Sequence, residues 1–323
     1  MKQISKQSVG IDISKDDFET RICCVTTEQE LSFSRSMKFE NNKKGFKKFV
    51  KWAVGHTNSS IPLHFTMEAT GVYYESLAYY LVEVGLNTHV LLPNTSKHFF
   101  GSLNAKSKTD KDDAKNLSQF GVERKFENWN PPPVFYKNLR DLTRYCDQLK
   151  VQKTELSNML HSYDTSVNTD KFVKKNLGQL IKTFEKQIET CSQKIQVHIK
   201  SDPVVEEQIS KICTTKGLTL LPVAIIVAET FGFHLFHNQK QLTSYAGYDV
   251  VERQSGSSIK GKTRISKKGN KRIRKALFYP AMSHVRHNEA AKERYNRIVE
   301  KRGFKMIGQV AAQRRLLILM AMI

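Results

Sequence analysis

Acidic residues are the scarce charge in this chain. Only 31 aspartates and glutamates stand against 52 lysines and arginines, a formal charge of +21 over 323 residues. That imbalance argues against a basic partner and for a polyanion. Long apolar runs are also missing: none reaches the roughly 20 residues a membrane helix needs. No basic amphipathic helix opens the chain, so no membrane partner is expected. The longest apolar run, Leu316 to Ile323, follows Arg314 and Arg315 and reads as a buried helix end, or as a helix interrupted by the chain boundary. Met1 to Gly10 is polar and leads directly into a strand, so no secretory leader is expected and a cytoplasmic location is. Cysteine is sparse. Cys23, Cys24, Cys146, Cys191 and Cys213 are odd in number and match no zinc spacing, which leaves reduced thiols. A Gly-rich Walker loop is absent, so no ATP-driven step is expected. No internal repeat stands out.

Against that background the elements fall into three stretches. Residues 7 to 14, 18 to 26 and 31 to 38 read as strands. Asn41 to Val54 reads as a helix with Phe46, Phe49, Val50 and Val54 on one face. A buried strand over Leu63 to Met67, a helix over Tyr73 to Val84 stopped by Gly85, and a strand over His89 to Leu92 follow. A further helix carries Asp110 and Asp113 to about Phe120. Three strands, a helix, then alternating strands and helices describe a ribonuclease-H-like layout. Pro131-Pro132-Pro133 breaks the chain. Lys137 to about Ser162 and Phe172 to about Lys200 then read as an antiparallel helical hairpin or coiled coil, a spacer or an oligomer contact. From Cys213 the texture is mostly helical. The expected fold class is therefore α/β plus α, with domains at 1–130, 131–210 and 211–323.

The acids that are present are placed suggestively. Asp12 ends the first strand, Glu68 follows Leu63 to Met67, and Asp110 and Asp113 stand one helical turn apart. Asp112 points elsewhere and reads as a solvated neighbour. Converging carboxylates repel unless a cation lies between them. Hard Mg²⁺ takes such oxygens and keeps room for phosphate. Metal-assisted phosphodiester chemistry is the reading these four acids support.

A second constellation is Arg253-Gln254-Ser255-Gly256-Ser257-Ser258, which opens the densest basic tract: Arg253, Lys260, Lys262, Arg264, Lys267, Lys268, Lys271, Arg272, Arg274 and Lys275. A serine hydroxyl needs a base, cation or metal to become a nucleophile, and these cations suit a phosphodiester. By spacing alone a Ser/Gly loop is more often a flexible linker. Lys216-Gly217-Leu218 before Pro222-Val223-Ala224 faintly suggests a backbone phosphate loop. Tyr73, Tyr74, Phe99 and Phe100 suit base stacking, although core packing is the commoner use.

At these residues the chain resembles a known family. Val9-Gly10-Ile11-Asp12, Glu68-Ala69-Thr70-Gly71-Val72-Tyr73 and Lys108-Thr109-Asp110-Lys111-Asp112-Asp113-Ala114 resemble the motifs of DEDD transposases of the insertion sequence 110 family. Gln241 to Gly247, Gln254-Ser255-Gly256 and Ile265 to Asn270 resemble that family's second domain. The resemblance spans nearly the whole chain. It implies a RuvC-like N-terminal domain in which Asp12, Glu68, Asp110 and Asp113 hold Mg²⁺, and Ser255 as the nucleophile that forms a phosphoserine link to DNA. It also implies target and donor DNA, a structured non-coding guide RNA and a homo-oligomer, dimer or tetramer, as partners, in a bacterial cytoplasm close to the nucleoid. Lys216-Gly217-Leu218-Thr219 departs from the family's glycine turn, and Ser257 and Ser258 crowd the candidate nucleophile. Two other readings stay open: a RuvC-like nuclease using water, and a non-catalytic nucleic-acid binder.

Overall fold

The computed structural model describes residues 3–103, 109–252, 254, 255, 259, 260 and 264–323. The chain divides at the proline run into two compact units, Met1–Pro131 and Pro132–Ile323. The first is mixed α/β, and the second is mostly helical.

In the first unit β1 (Ile4–Ile13) pairs antiparallel with β2 (Asp17–Thr26) and parallel with β5 (Leu63–Glu68), which pairs parallel with β6 (Asn87–Leu91). The strand expected over 31 to 38 is two, β3 (Leu31–Phe33) and β4 (Met37–Glu40), both on the far edge of β2. The break lies at Ser34, whose hydroxyl accepts the Ile22 amide at 3.0 Å and so substitutes for a backbone ladder bond.

Strand alternation divides the work of β1 between two faces. Val9 and Ile11 point to one face, where Phe65 and Met67 join them in a core with α1 (Lys43–Gly55) and α2 (Glu75–Glu83). The α1 stripe is Phe46, Phe49 and Ala53; Val54, expected on it, is 50% exposed. Asn42 caps α1 by accepting the Gly45 amide at 2.9 Å. Pro93, just past the strand expected over His89 to Leu92, opens an unforeseen helix, α3 (Pro93–Ser102), because proline fits the first helical position, where no amide donor is needed.

The other face of β1 meets α4 (Asp110–Glu123). A Cβ on Gly10 would lie 2.0 Å from the Ala114 carbonyl oxygen, and one on Gly121 would lie 2.1 Å from Ser8 Oγ. The helix therefore rests on the strand backbone to backbone, running antiparallel to it. Thr109 caps α4, accepting the Asp112 amide and donating to Asp112 Oδ2 at 2.7 Å. Asp112, expected to be a solvated neighbour, thus closes the helix start.

In the second unit α5 (Val134–Thr165) and α6 (Lys171–Lys200) form the expected hairpin. Its base is buried with α7 (Pro203–Cys213), α8 (Leu220–Thr230), α10 (Lys271–His287) and α12 (Lys305–Met320) in one core. Leu139, Cys146, Cys191 and Ile195 belong to that core, whereas Leu180, Val167 and Phe172 nearer the tip are exposed. The short α9 (Gln239–Tyr245) and α11 (Glu289–Arg302) complete the helices described. Within the apolar run Leu316, Leu317 and Met320 are the buried face of α12, while Leu319, Met322 and Ile323 are exposed. No described helix is long and apolar enough to cross a membrane.

Gly10→Ala is expected to lower the unfolding free energy by about 1–3 kcal/mol, the usual cost of overpacking. Gly178→Ala in α6, where an added Cβ meets nothing within 4 Å, is expected to raise it by about 0.5–1 kcal/mol. Urea titrations check the pair, and a Gly10→Ala protein as stable as its parent would contradict the close approach.

A second expectation concerns acid. His89 Nδ1 lies 2.9 Å from the Glu127 carbonyl oxygen and His89 Nε2 lies 2.9 Å from His64 Nδ1. A carbonyl only accepts, so His89 carries its proton on Nδ1 and receives one hydrogen bond from His64. Burial pushes both rings below the ordinary histidine value, with His89 adding repulsion at His64. Stability is therefore complete above the unfolded value of about 6.5 and is lost as pH falls below it, because the unfolded rings bind protons first. Urea midpoints across this range should fall less steeply in His64→Asn than in the parent; equal slopes would remove the pair from this account.

Candidate active site

Sheet register brings the four acids of the first unit to one end of one face. β1 and β5 pair with Gly10 opposite Thr66 and Ile11 opposite Met67, so Asp12 and Glu68 follow at the same level. Gly10 faces α4, and two-residue alternation sends Asp12 to the same side. Thr66 faces Gly121 of α4, and Glu68 follows it on that face. Because α4 runs antiparallel to β1, its first turn, with Asp110 and Asp113, lies towards the Asp12 end. Three separate elements thus converge there.

Glu68 has hydroxyl donors of its own. Glu68 Oε1 accepts from Thr70 Oγ1 at 2.9 Å, and Oε2 accepts from Ser96 Oγ of α3. Asp110 lies close enough to Lys38 of β4 to raise its pKa. The main cause of that rise is the hydrogen bond to Asp17, an ion pair at 2.8 Å. Among the described residues no three His, Cys, Asp or Glu side chains gather as a ready-made cage. The donor set, all carboxylate oxygen, suits a hard divalent ion by its chemistry. Ser96 and Lys38 were not anticipated from sequence. Of the candidate aromatics, Phe99 is core, stacked on Phe120 at 4.1 Å, while Tyr73 is 45% exposed.

Ser255 sits on an arm in the second unit. β7 (Val250–Val251) pairs antiparallel with β10 (Arg264–Ile265), and inside that ladder β8 (Gln254–Ser255) pairs with β9 (Ile259–Lys260). Ser255 is opposite Ile259. Arg253, Lys262, Gly256, Ser257 and Ser258 lie outside the described residues.

The base of the arm is tied down. Ser266 Oγ donates to Asp249 Oδ1 at 2.6 Å, and its amide donates to the Asp249 carbonyl. The Lys267 amide donates to the Gly247 carbonyl, and the Asn270 amide to that of Tyr245. Arg274 donates to the carbonyls of Ala246 at 2.7 Å and Lys267 at 3.2 Å, so its guanidinium braces this knot. Lys275 pairs with Asp147 of α5 at 2.5 Å. Lys268 and Lys271 are exposed on the approach to α10. The stretch from Gln241 to Gly247 and the stretch from Ile265 to Asn270, far apart in sequence, are thus one structural device.

Glu229 anchors that device and was missed by sequence reasoning. It closes the apolar helix α8 and is 1% exposed. Burial pushes its carboxyl up, but hydrogen bonds from Arg144 and Asn270, with the Arg144 and Arg272 charges, outweigh burial and hold it low. Arg144 grips it with two bonds, Nε to Oε1 at 2.7 Å and Nη2 to Oε2 at 2.9 Å. Asn270 Nδ2 donates to Oε2 at 2.7 Å while its Oδ1 caps α10 through the Arg272 amide. Arg272 Nε stands 3.9 Å from Oε1. The available signal was an acid ending an apolar run, which demands a buried cationic partner.

Glu229→Ala is expected to cost about 2–4 kcal/mol of stability, less than a fully buried pair because Arg144 can reach water. It should also free the arm, so that amide exchange over residues 249–270 quickens more than in the hairpin α5/α6. Hydrogen-exchange mass spectrometry checks this, and uniform quickening would contradict the anchor.

Comparison with known proteins agrees in both units. The family model for DEDD-type insertion sequence 110 transposases, described as "Transposase", matches residues 9–167. A second, "Transposase IS116/IS110/IS902 family", matches residues 209–296. Pilin gene-inverting proteins of Moraxella bovis and Moraxella lacunata are each 28% identical, over 279 and 282 residues, covering 86% of this chain and 83% of each relative. Among solved structures, the Aquifex aeolicus member of the Ppx/GppA family aligns with 29% of this chain and 37% of its own at 12% identity and a TM-score of 0.22, too low to bear on the fold. The acid-bearing sheet and the serine-bearing arm fall within the two matched regions in the matched order, and the chain belongs to the insertion sequence 110 family of transposases, enzymes that recombine DNA.

Proposed function

We propose that the protein cleaves and exchanges DNA strands through a covalent serine link, with Mg²⁺ held by Asp12, Glu68, Asp110 and Asp113. The observation that carries this is the register of β1, β5 and α4, which sends all four acids to one end of one face. The strand order β3-β2-β1-β5-β6, antiparallel on one side of β1 and parallel on the other, supports a ribonuclease-H-like, RuvC-like reading of the first unit. Bound there, Mg²⁺ supplies Lewis-acid stabilisation of the charge that develops on the phosphate.

The chain's own residues supply the rest. Ser255 Oγ bonds to phosphorus, the bond from phosphorus to the departing sugar oxygen breaks, and the serine proton ends on that oxygen. The ester conserves the energy of the broken phosphodiester, so rejoining needs no ATP. Lys260, Arg264, Lys267, Lys268, Lys271 and Arg272, with Arg253 and Lys262, neutralise DNA phosphates around the arm. Arg274, though part of the same tract, braces the arm instead. The hairpin α5/α6 serves oligomer assembly, and the net charge of +21 accommodates a structured guide RNA beside target and donor DNA. The protein works in the bacterial cytoplasm, at the nucleoid. As in the relatives named for pilin gene inversion, the outcome of exchange is a rearranged DNA segment.

The test is a denaturing gel for a protease-sensitive protein–DNA adduct, with and without Mg²⁺. The adduct is expected with Mg²⁺ in the parent, absent in Ser255→Ala, retained in Ser257→Ala and Ser258→Ala, and reduced at least a hundredfold in Asp12→Ala. Free ends without adduct, made equally by Ser255→Ala, would mean that water attacks and the protein is a nuclease.

A further inference from the structure

Outside the arm, the second unit contains a large cleft between α10, α11 and α12 and the turn before α8. Its volume is about 1270 Å³, beyond the roughly 300–1,000 Å³ of a typical small-molecule pocket. Lys216, Arg294, Arg297, Arg314 and Arg315 line it, and Glu289 is the one carboxylate on its wall among the described residues. The basic tract around Ser255 contributes nothing to it; every one of these cations comes from elsewhere in the chain.

Ile298, Ala312 and Leu319 add apolar side chains to the same lining. Tyr295 stands on the wall, with its ring against Gly308 of α12: an added Cβ there would lie 2.8 Å from Tyr295 Cδ2. The wall is fixed by packing elsewhere. His284 Nδ1 lies 2.8 Å from the Lys216 carbonyl oxygen, and a Cβ on Gly217 would lie 2.6 Å from the His284 amide nitrogen. The glycine turn that sequence marked as a phosphate loop therefore packs on α10 and delivers the Lys216 side chain to the cleft.

Cations mixed with apolar and aromatic side chains in one lining fit a polyanion whose bases are unstacked. A duplex keeps its bases stacked inside and meets such a lining mainly through its phosphates. An unpaired strand sets its phosphates against the cations and its bases against the apolar side chains and Tyr295. Strand exchange, the activity of this family, generates unpaired DNA. We propose that this cleft binds an unpaired DNA segment, separately from the serine arm. The inference rests on the recombinase reading only for the source of the strand, and binding is measured without cleavage.

The test is fluorescence anisotropy with the full chain in EDTA. The probes are a short unpaired DNA oligonucleotide, its duplex, and RNA of the same sequence. Arg294 and Arg297 are exposed, so Arg294→Gln/Arg297→Gln should keep the parent's circular dichroism and melting temperature. Its affinity for unpaired DNA is expected to fall at least tenfold, and its salt slope by about 1–2. Duplex binding should change less than twofold, and Arg294→Lys/Arg297→Lys should restore most of the loss. Unchanged binding of unpaired DNA overturns the proposal, as does an equal loss for duplex, which would mark a general charge effect. A loss confined to RNA overturns the assignment to DNA. Failure to form a serine adduct in the separate gel assay leaves this readout intact.

Discussion

The contact between α4 and β1 is the constraint on which the first unit turns. Gly10 has no side chain, so the carbonyl of Ala114 and the backbone of Ser118 settle directly on the strand. Any Cβ there would lift the helix. That approach sets the height of α4, and its antiparallel course sets which end of the sheet its first turn overhangs. Asp12 is two residues from Gly10, and Ala114 is one from Asp113. The glycine contact and the placement of Asp12 and Asp113 are therefore a single piece of geometry. Thr109 and Asp112 start the helix at the right residue, so that Asp110 and Asp113 share its first turn.

The second unit solves a different problem, holding a short two-ladder arm that has little core of its own. Its solution is electrostatic and buried. Glu229 links α5, through Arg144, to the start of α10, through Asn270, and its backbone carbonyl accepts the Tyr245 hydroxyl of α9 at 3.1 Å. Three helices and the arm's base converge on one residue. Removing a water shell from that carboxylate is costly, and only a two-bond arginine grip with a further amide donor makes it tolerable. Such a site trades stability for a defined geometry at the base of the arm.

Most of the elements were legible in sequence because their signals are local. Strand alternation in β1 and β2, the proline break and the long apolar repeats of α5 and α6 all act through neighbours in the chain. Val54 failed because only packing distinguishes it from Ala53 one residue earlier on α1. The strand over 31 to 38 failed because a serine hydroxyl took a ladder bond. Asp12, Glu68, Asp110 and Asp113 were each readable as acids at strand or helix ends, because such ends are local features. Ser96 and Lys38, which hold or neighbour those acids, come from α3 and β4 and carry no local mark. Arg144 and Asn270 are 126 residues apart in the chain, and no spacing rule joins them through Glu229. The basic tract was visible as charge, but charge alone did not separate Arg274, which braces carbonyls, from lysines facing solvent.

The claim beneath all of this is that one sheet end and one helix start act together as a divalent-ion site. Electron paramagnetic resonance of Mn²⁺ titrated into the full chain, without DNA, tests it directly. The account predicts bound Mn²⁺ in the parent and weakening of at least tenfold in Asp12→Asn and in Asp113→Asn alike, because strand and helix contribute to one site. Undiminished Mn²⁺ binding in both variants, with the fold intact, would contradict it.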